Sequence, residues 1–177
     1  MYERPFHVDD FFCFNNVNFD PLTETYHPAF YMPYLTRWGD ICEIEESFGG
    51  DICGYMIAKA EGPGADRHGH VTAVSVAPEY RRLRIAKKLM ENLENRTTNI
   101  YGGKFVDLFV RNSNSVARQF YHLLGYYDFH IVDDYYGDEN GLDMRKEFSS
   151  GSKKKGKKKK TKHVSPEWYE QWAKNWK

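Results

Sequence analysis

Apolar residues recur along the first 148 positions at spacings that shift between two and about 3.6, and each shift predicts a new element. Residues 2–7 read as a short first strand. Asp9 or Asp10 is placed to cap a helix running to Asn18, with Phe11, Phe12, Phe14 and Val17 as its apolar positions. Residues 20–26 read as a turn-rich loop. Ala29 to Trp38 predicts a second helix, in which Pro33 has to occupy the first turn or bend the axis. Gly39-Asp40 and Gly49-Gly50 bracket a strand over 41–47, and its hairpin partner runs from Ile52 to Ala60. His70 to Val76 alternates as a strand, Pro78 ends it, and Ile85, Leu89 and Leu93 mark a helix to about Arg96. Phe105 to Val110 is a dense apolar strand. Asn114 to Leu124 predicts a helix closed by Gly125 at its C′ position. Tyr126 to Tyr136 and Leu142 to Phe148 are late strands joined by the glycine-bounded turn 137–141. The predicted order, β-α-α-β-β-β-α-β-α-β-β, is an α/β (α+β mixed-sheet) chain with several adjacent antiparallel hairpins and no internal repeat.

The periodicity stops at Phe148. Ser149 to Ser152 leads into eight lysines between positions 153 and 162. Such a block repels itself, carries no apolar residues and is expected to be flexible. Beyond it, Ser165 is a candidate N-cap and Pro166 a first helical residue, with Trp168, Trp172 and Trp176 on one stripe. A helix of this length is marginal alone, so it is expected to dock, the alternative being a solvated tail. The expected organisation is a domain over 1–148, a Lys-rich linker over 149–164 and a Trp-rich helical tail over 165–177.

Charge sharpens this division. The 25 basic and 25 acidic residues cancel only by addition. Residues 149–177 carry ten Lys against two Glu, which leaves a net −8 on the first 148 residues. Within that acidic body, Arg81 to Lys88 holds five basic groups and no acid. A helix start with that charge suits a pyrophosphate, although a solvated basic helix end has the same composition. The body is a poor whole-chain nucleic-acid binder, and only the tail invites phosphate. A hydrophobic content of 41% supports a folded core. No apolar run approaches the roughly 20 residues of a membrane span, and the first residues do not read as a secretory signal. A cytoplasmic chain with no membrane role is expected. Cys13, Cys42 and Cys53 are scattered and odd in number, which argues against a disulfide framework or a zinc set.

Two motifs then resemble a known family. Ser75-Val76-Ala77-Pro78-Glu79-Tyr80-Arg81-Arg82-Leu83-Arg84-Ile85-Ala86 resembles the acetyl-CoA motif of the GNAT acetyltransferases, Arg/Gln-x-x-Gly-x-Gly/Ala. Arg81 takes its first position and Ala86 its last, while Arg84 stands at the first glycine. Left-handed backbone there costs a non-glycine residue about 1 kcal/mol or more, so acetyl-CoA binding is expected to be weakened but retained. Asn114-Ser115-Val116-Ala117 through Tyr121 to Gly125-Tyr126 matches the family's Asn-x-x-Ala-x-x-x-Tyr-x-x-x-Gly-Phe/Tyr signature completely. The resemblance implies the GNAT fold, a mostly antiparallel twisted sheet flanked by about four helices. It also implies an acetyl-CoA site using Val74, Val76, Arg81, Arg82, Arg84, Ile85, Ala86, Asn114 and Tyr121, with no metal. Tyr121 is the implied general acid, with Asn114 on the same helix face; a plain packing role is the alternative.

Further segments are similar to the catalytic subunits of NatB N-terminal acetyltransferases. They are residues 14–26, His68-Gly69-His70-Val71-Thr72-Ala73, Phe105 to Arg111, Tyr135-Tyr136 and Asp143-Met144-Arg145-Lys146. The similarity spans about 5–148 and implies acetylation of nascent chains starting Met-Asp, Met-Glu, Met-Asn or Met-Gln. Tyr26, Tyr135 and Tyr136 are expected to wall the peptide slot, and Glu24 either to orient the amine or to cap a turn. His70 is expected to read substrate position two with help from Thr72, on the same face by strand alternation. His68-x-His70 as a metal pair, His70 as an ordinary hydrogen-bonded residue, and Tyr135-Tyr136 as strand formers with one ring inward are the alternatives. The family further implies a large helical auxiliary subunit, ribosome association and, through the lysines, RNA contact. Another amine specificity on the same fold, or a degenerate module binding ribosome or RNA, are the rival readings.

Overall fold

A computed structural model describes residues 1–19 and 23–148, together with the backbone of 162–164. The rest of the Lys-rich stretch and the Trp-rich segment 165–177 lie outside the described residues. The chain packs as two compact units, Met1–Asp107 and Leu108–Lys177.

In the first unit, β1 (Tyr2–Pro5), β2 (Glu43–Glu46), β3 (Ile52–Glu61) and β4 (His68–Val76) lie side by side, each antiparallel to the next. β5 (Phe105–Arg111) begins beside β4 and ends in the second unit. Helix α1 (Pro28–Trp38) packs Tyr31 and Tyr34 with Tyr55 and Ile57 of β3, so it covers one face of this sheet. Helix α2 (Ile85–Asn99) covers the other: glycines 54 and 69 leave room there for Ile85 and Thr97. In the second unit, α3 (Ser115–Leu123) precedes the antiparallel pair β6 (Tyr127–Val132) and β7 (Gly141–Glu147). A short β8 (Lys162–Val164) runs parallel to β6.

The expected helix over 9–18 is instead two 3₁₀ turns, Val8–Phe12 and Asn15–Val17, leaving three α-helices among the described residues. The Asp10 carboxylate accepts the N–H of His7 at 2.8 Å and two bonds from Arg4 at 2.7 and 2.9 Å. The asparagines in the second turn are weak helix formers. α1 begins at Pro28, with the His27 Nδ1 accepting the Ala29 N–H at 3.3 Å. Pro33 is its sixth residue rather than part of its first turn, so one interior N–H is missing.

One irregularity in β4 decides which face its histidines occupy. Ala73 pairs with Ile57, but Val71 pairs with Ala58, so Thr72 is the extra residue of a β-bulge. Side chains on a strand alternate, and one inserted residue moves the whole preceding segment to the other face. The bulge therefore puts His68 and His70 on the α1 face together with Ser75, while Gly69 faces Thr97 of α2. His70 and Thr72 both lie toward α1, Thr72 beside the Tyr34 hydroxyl, so they share a face as expected, although the bulge breaks the simple alternation from which that was expected.

Candidate active site

β4 carries the first part of the site through its backbone. Ala77 donates its N–H to the Cys53 carbonyl at 2.9 Å. The register with β3 is regular from Ala73 to Val76. The alternation of an antiparallel ladder then turns the N–H groups of Val74 and Val76 toward the edge away from β3. The 3₁₀ turn Pro78–Tyr80 leads into Arg81 to Arg84, all exposed. Arg82 and Arg84 both take left-handed backbone, with φ of 66° and 65°. The Arg84 carbonyl accepts the N–H of Lys88 at 3.0 Å. The N–H groups of Ile85, Ala86 and Lys87 lie in the first helical turn, where no intrahelical acceptor exists. These donors, the positive end of the helix dipole and exposed guanidinium groups fit a pyrophosphate. The arginine at the glycine position takes the glycine's conformation at a cost of about 1 kcal/mol or more.

The five-cation cluster expected there is smaller than its sequence suggested. Lys87 pairs with Glu91 at 3.6 Å, and Lys88 with Glu45 at 2.9 Å and Glu3 at 3.2 Å. Arg81, Arg82 and Arg84 stay exposed at the helix start, with the Arg81 Nε also donating to the Val76 carbonyl at 3.2 Å.

On the α1 face, β3, β4 and β5 bury a chain of charges. Lys59 contacts Glu61 at 2.6 Å, and the Nε2 of His68 lies 3.5 Å from carboxylate oxygens of both Glu61 and Asp107. The Nδ1 of His70 lies 2.8 Å from the other Asp107 oxygen. Phe105 stacks on the His68 ring at 4.5 Å. Carboxylates and carbonyls only accept, so ring hydrogens are fixed by their neighbours. His68 Nδ1 donates to the Asp66 carbonyl at 2.6 Å. Its Nε2 faces two carboxylates at 3.5 Å, a setting that favours a hydrogen on that nitrogen as well. Burial opposes a charge on the ring, but Glu61 and Asp107 outweigh it and raise the His68 pKa. Burial likewise opposes the Glu61 charge, yet His68, His70 and Lys59 bring its carboxyl down to about 2. Sequence spacing does not show which carboxylates meet these rings; the fold brings Glu61 and Asp107 to His68. Among the described residues no three such groups have metal-holding geometry.

Residues 23–27 lie against this face. The hydroxyls of Thr23 and Ser75 are 3.0 Å apart, and the N–H of Tyr26 donates to the Tyr31 hydroxyl at 3.1 Å. The exposed Tyr26 stacks on Phe30 at 4.1 Å, and Glu24 is exposed two residues before it. Thr72 lies beside the Tyr34 hydroxyl.

In the second unit, Asn114 caps α3 rather than lying inside it: its Oδ1 accepts the Ala117 N–H at 3.0 Å. Tyr121 is buried, and burial pushes its phenol up to about 12, so it holds its proton at neutral pH. Tyr135 and Tyr136 are not strand residues. β6 stops at Val132, and both tyrosines sit in a turn held by Asn140, which donates to Asp133 and accepts from the Asp134 N–H. Tyr135 stacks on Phe109 at 4.5 Å, and the Arg111 guanidinium lies 4.4 Å over the Tyr136 ring. Arg111 also reaches Asp138 at 2.8 Å and Glu139 at 3.1 Å. Both rings are thus engaged, where strand alternation allowed one.

The chain matches the Acetyltransferase (GNAT) family over residues 7–126. It is 52% identical to N-alpha-acetyltransferase 20 of Dictyostelium discoideum, over 86% of this chain and 88% of that one. It is 50% identical to the N-terminal acetyltransferase B complex catalytic subunit of Arabidopsis thaliana, with the same coverage. The chain is a GNAT-family acetyltransferase of the NatB catalytic-subunit type. Among solved structures, that of Chaetomium thermophilum Naa20 with a bisubstrate analogue superposes with a TM-score of 0.86 at 34% identity. That match covers 94% of this chain and 97% of the other.

Within this GNAT chain, Lys59, Glu61, His68 and Asp107 escape sequence reasoning as a unit. The signal is there: a lysine inside the apolar run 52–60 and an aspartate inside 105–110 both demand buried partners. They also link stability to pH. The raised His68 pKa means that its contribution is full below its ordinary value of 6.5 and disappears as pH climbs through the raised one. Glu61 works in the opposite sense, contributing above 4.5 and losing it as pH falls toward about 2. Between about pH 6 and pH 9 the parent chain will lose stability more steeply than His68→Gln, measured by urea unfolding at each pH. Equal slopes would contradict the raised His68 pKa.

Proposed function

We propose that this chain transfers acetyl from acetyl-CoA to the α-amine of proteins beginning Met-Asp, Met-Glu, Met-Asn or Met-Gln. The observation that carries the reading is β4 itself. A buried, carboxylate-bound histidine stands before the bulge, outward N–H groups come after it, and a cationic helix start ends the strand.

Each part has a role in the reaction. A free α-amine has a pKa near 7.7–8.0, so about a tenth or more is neutral at cytosolic pH and can attack. The N–H groups of Val74 and Val76 receive the carbonyl oxygen as it gains negative charge. Ile85 and Ala86 N–H groups with Arg81, Arg82 and Arg84 hold the pyrophosphate. The amine nitrogen bonds to the acetyl carbon as the carbon–sulfur bond breaks. Tyr121 gives its phenolic proton to the departing thiolate and regains one from the medium, and the attacking amine sheds its extra proton to water. Asn114 holds the cofactor beside that helix. Glu24, Tyr26, Tyr135 and Tyr136 position the N-terminal backbone, while His70 and Thr72 address the second side chain. No cysteine takes a nucleophile's part, so transfer is direct.

The partner we infer is a large helical auxiliary subunit, the chemistry of its contact being apolar. Of the aromatics in the first segments, Phe11, Phe14, Tyr31 and Tyr34 are in the core or packed on it, but Phe12 is 84% and Phe19 80% exposed. The ribosome is the second partner, reached through RNA phosphates by the lysines beyond Phe148. Cytoplasmic localisation accords with this; no helix among the described residues is long and apolar enough to cross a membrane.

Four measurements test this reading. Mass-spectrometric assays on Met-Asp, Met-Asn, Met-Ala and internal-lysine peptides will show acetylation of the first two. His70→Ala will lose most Met-Asp activity, and Tyr121→Phe will lower turnover by about a hundredfold. Lysine acetylation, or unchanged Met-Asp activity in His70→Ala, overturns the specificity. In calorimetry, Arg84→Gly will bind acetyl-CoA more tightly than the parent, since glycine adopts left-handed backbone without strain; equal or weaker binding refutes the strain account. Phe12→Ser with Phe19→Ser will weaken co-purification of the auxiliary subunit, and truncation after Phe148 will reduce ribosome co-sedimentation. Retention of both removes these partner assignments.

A further inference from the structure

The role given to His70 leaves a chemical puzzle. Asp and Glu side chains offer only acceptors, whereas Asn and Gln offer donors as well. One imidazole has to serve both kinds. The geometry behind it points to how.

We propose that Asp107 is a positioning residue that lets His70 recognise carboxylates as well as carboxamides at substrate position two; the proposal rests on the assignment of His70 above. The Asp107 carboxylate lies 2.8 Å from His70 Nδ1 and, having no hydrogen, accepts one from it. That contact fixes the ring's orientation and commits Nδ1 to the protein, so Nε2 is the atom with which the ring addresses a peptide. In the neutral ring Nε2 is an acceptor and suits an amide N–H. In the imidazolium it is a donor and suits a carboxylate. A carboxamide satisfies either form by rotating; a carboxylate accepts only the second. Acid recognition therefore depends on the charge facing His70 in a way that amide recognition does not.

The buried groups around the ring set that charge. Asp107 faces it from β5, His68 from its own strand, Lys59 and Glu61 from β3, and the Tyr34 hydroxyl stands beside Thr72 on the α1 side. Lys59 and Glu61 are in contact and offset each other. His68 and Asp107 are the remaining pair, and His68 competes with His70 for the same carboxylate from 3.5 Å. The centre of this group is shielded from water: the side chains of Lys59, His70 and Asp107 are each less than a tenth exposed, and Glu61 at its edge is one-third exposed.

The test compares two peptides on the full chain. Asp107→Asn keeps the size of the side chain and a hydrogen-bonding partner for Nδ1 but removes the charge. Its kcat/KM for Met-Asp will fall by about tenfold more than for Met-Asn, with the difference in KM. In a His70→Ala background the same substitution will leave the peptide ratio unmoved. Equal losses on both peptides, or a ratio that still moves without His70, overturn the proposal. His68→Gln provides an independent readout should Asp107→Asn fail to fold. Removing the competing cation will raise the Met-Asp to Met-Asn ratio, and a fall or no change contradicts the role given to Asp107. The failures separate cleanly. Full Met-Asp activity in His70→Ala removes the histidine from substrate recognition, whereas a His70-dependent enzyme with an unmoved ratio in Asp107→Asn removes only the aspartate.

Discussion

A carboxylate buried in a sheet has to be met by hydrogens, and at Asp107 they come from two histidines on the neighbouring strand. This constraint propagates outward. It fixes the His70 ring through Nδ1, and it contributes to raising the His68 pKa. His68 in turn draws in Glu61, which is matched by Lys59. A charge buried as deeply as Lys59 or Asp107 is not tolerable alone, since an unpaired buried charge costs several kcal/mol. Together they give the first unit a polar seam inside an otherwise aromatic core of Phe6, Phe14, Tyr31 and Tyr55.

The bulge at Thr72 makes the seam usable. Without the extra residue, His70 would fall on the face covered by α2, where Leu89, Leu93 and Thr97 are buried. With it, the strand presents histidines to the α1 face at one end and directs the backbone donors of Val74 and Val76 at the other. The charges of α2 obey the same economy of placement. Lys88 and Arg96 turn to the buried carboxylates Glu45 and Glu43, locking the helix to the sheet. The arginines before the helix remain exposed at its positive end, two of them in left-handed backbone.

Local pattern made most of the order of elements legible. Strand alternation, Pro78, Gly125 and the apolar spacing of α2 and α3 each mark a boundary found within a few residues. The motif around Arg81 to Ala86 and the run from Asn114 to Tyr126 carried the family. What local pattern could not carry was anything that depends on a neighbouring strand. The bulge is defined by which β3 residue faces Val71, and Asp107 reads as a flaw in an apolar run until β4 is laid beside it. The segment 8–18 misled for a related reason: its apolar spacing suits a helix, but Arg4 and the His7 backbone capture Asp10, and the asparagines do not extend the turn. Tyr135 and Tyr136 have strand composition, yet Asn140 closes a turn around them.

The carboxylate between the two histidines sets where their ring hydrogens sit. Long-range proton–nitrogen NMR on selectively labelled histidine reads this directly. The account predicts that at neutral pH His68 carries hydrogen on both ring nitrogens, and that the Nδ1 of His70 is protonated and hydrogen-bonded. A neutral His68, or a His70 whose hydrogen resides on Nε2 alone, would contradict it.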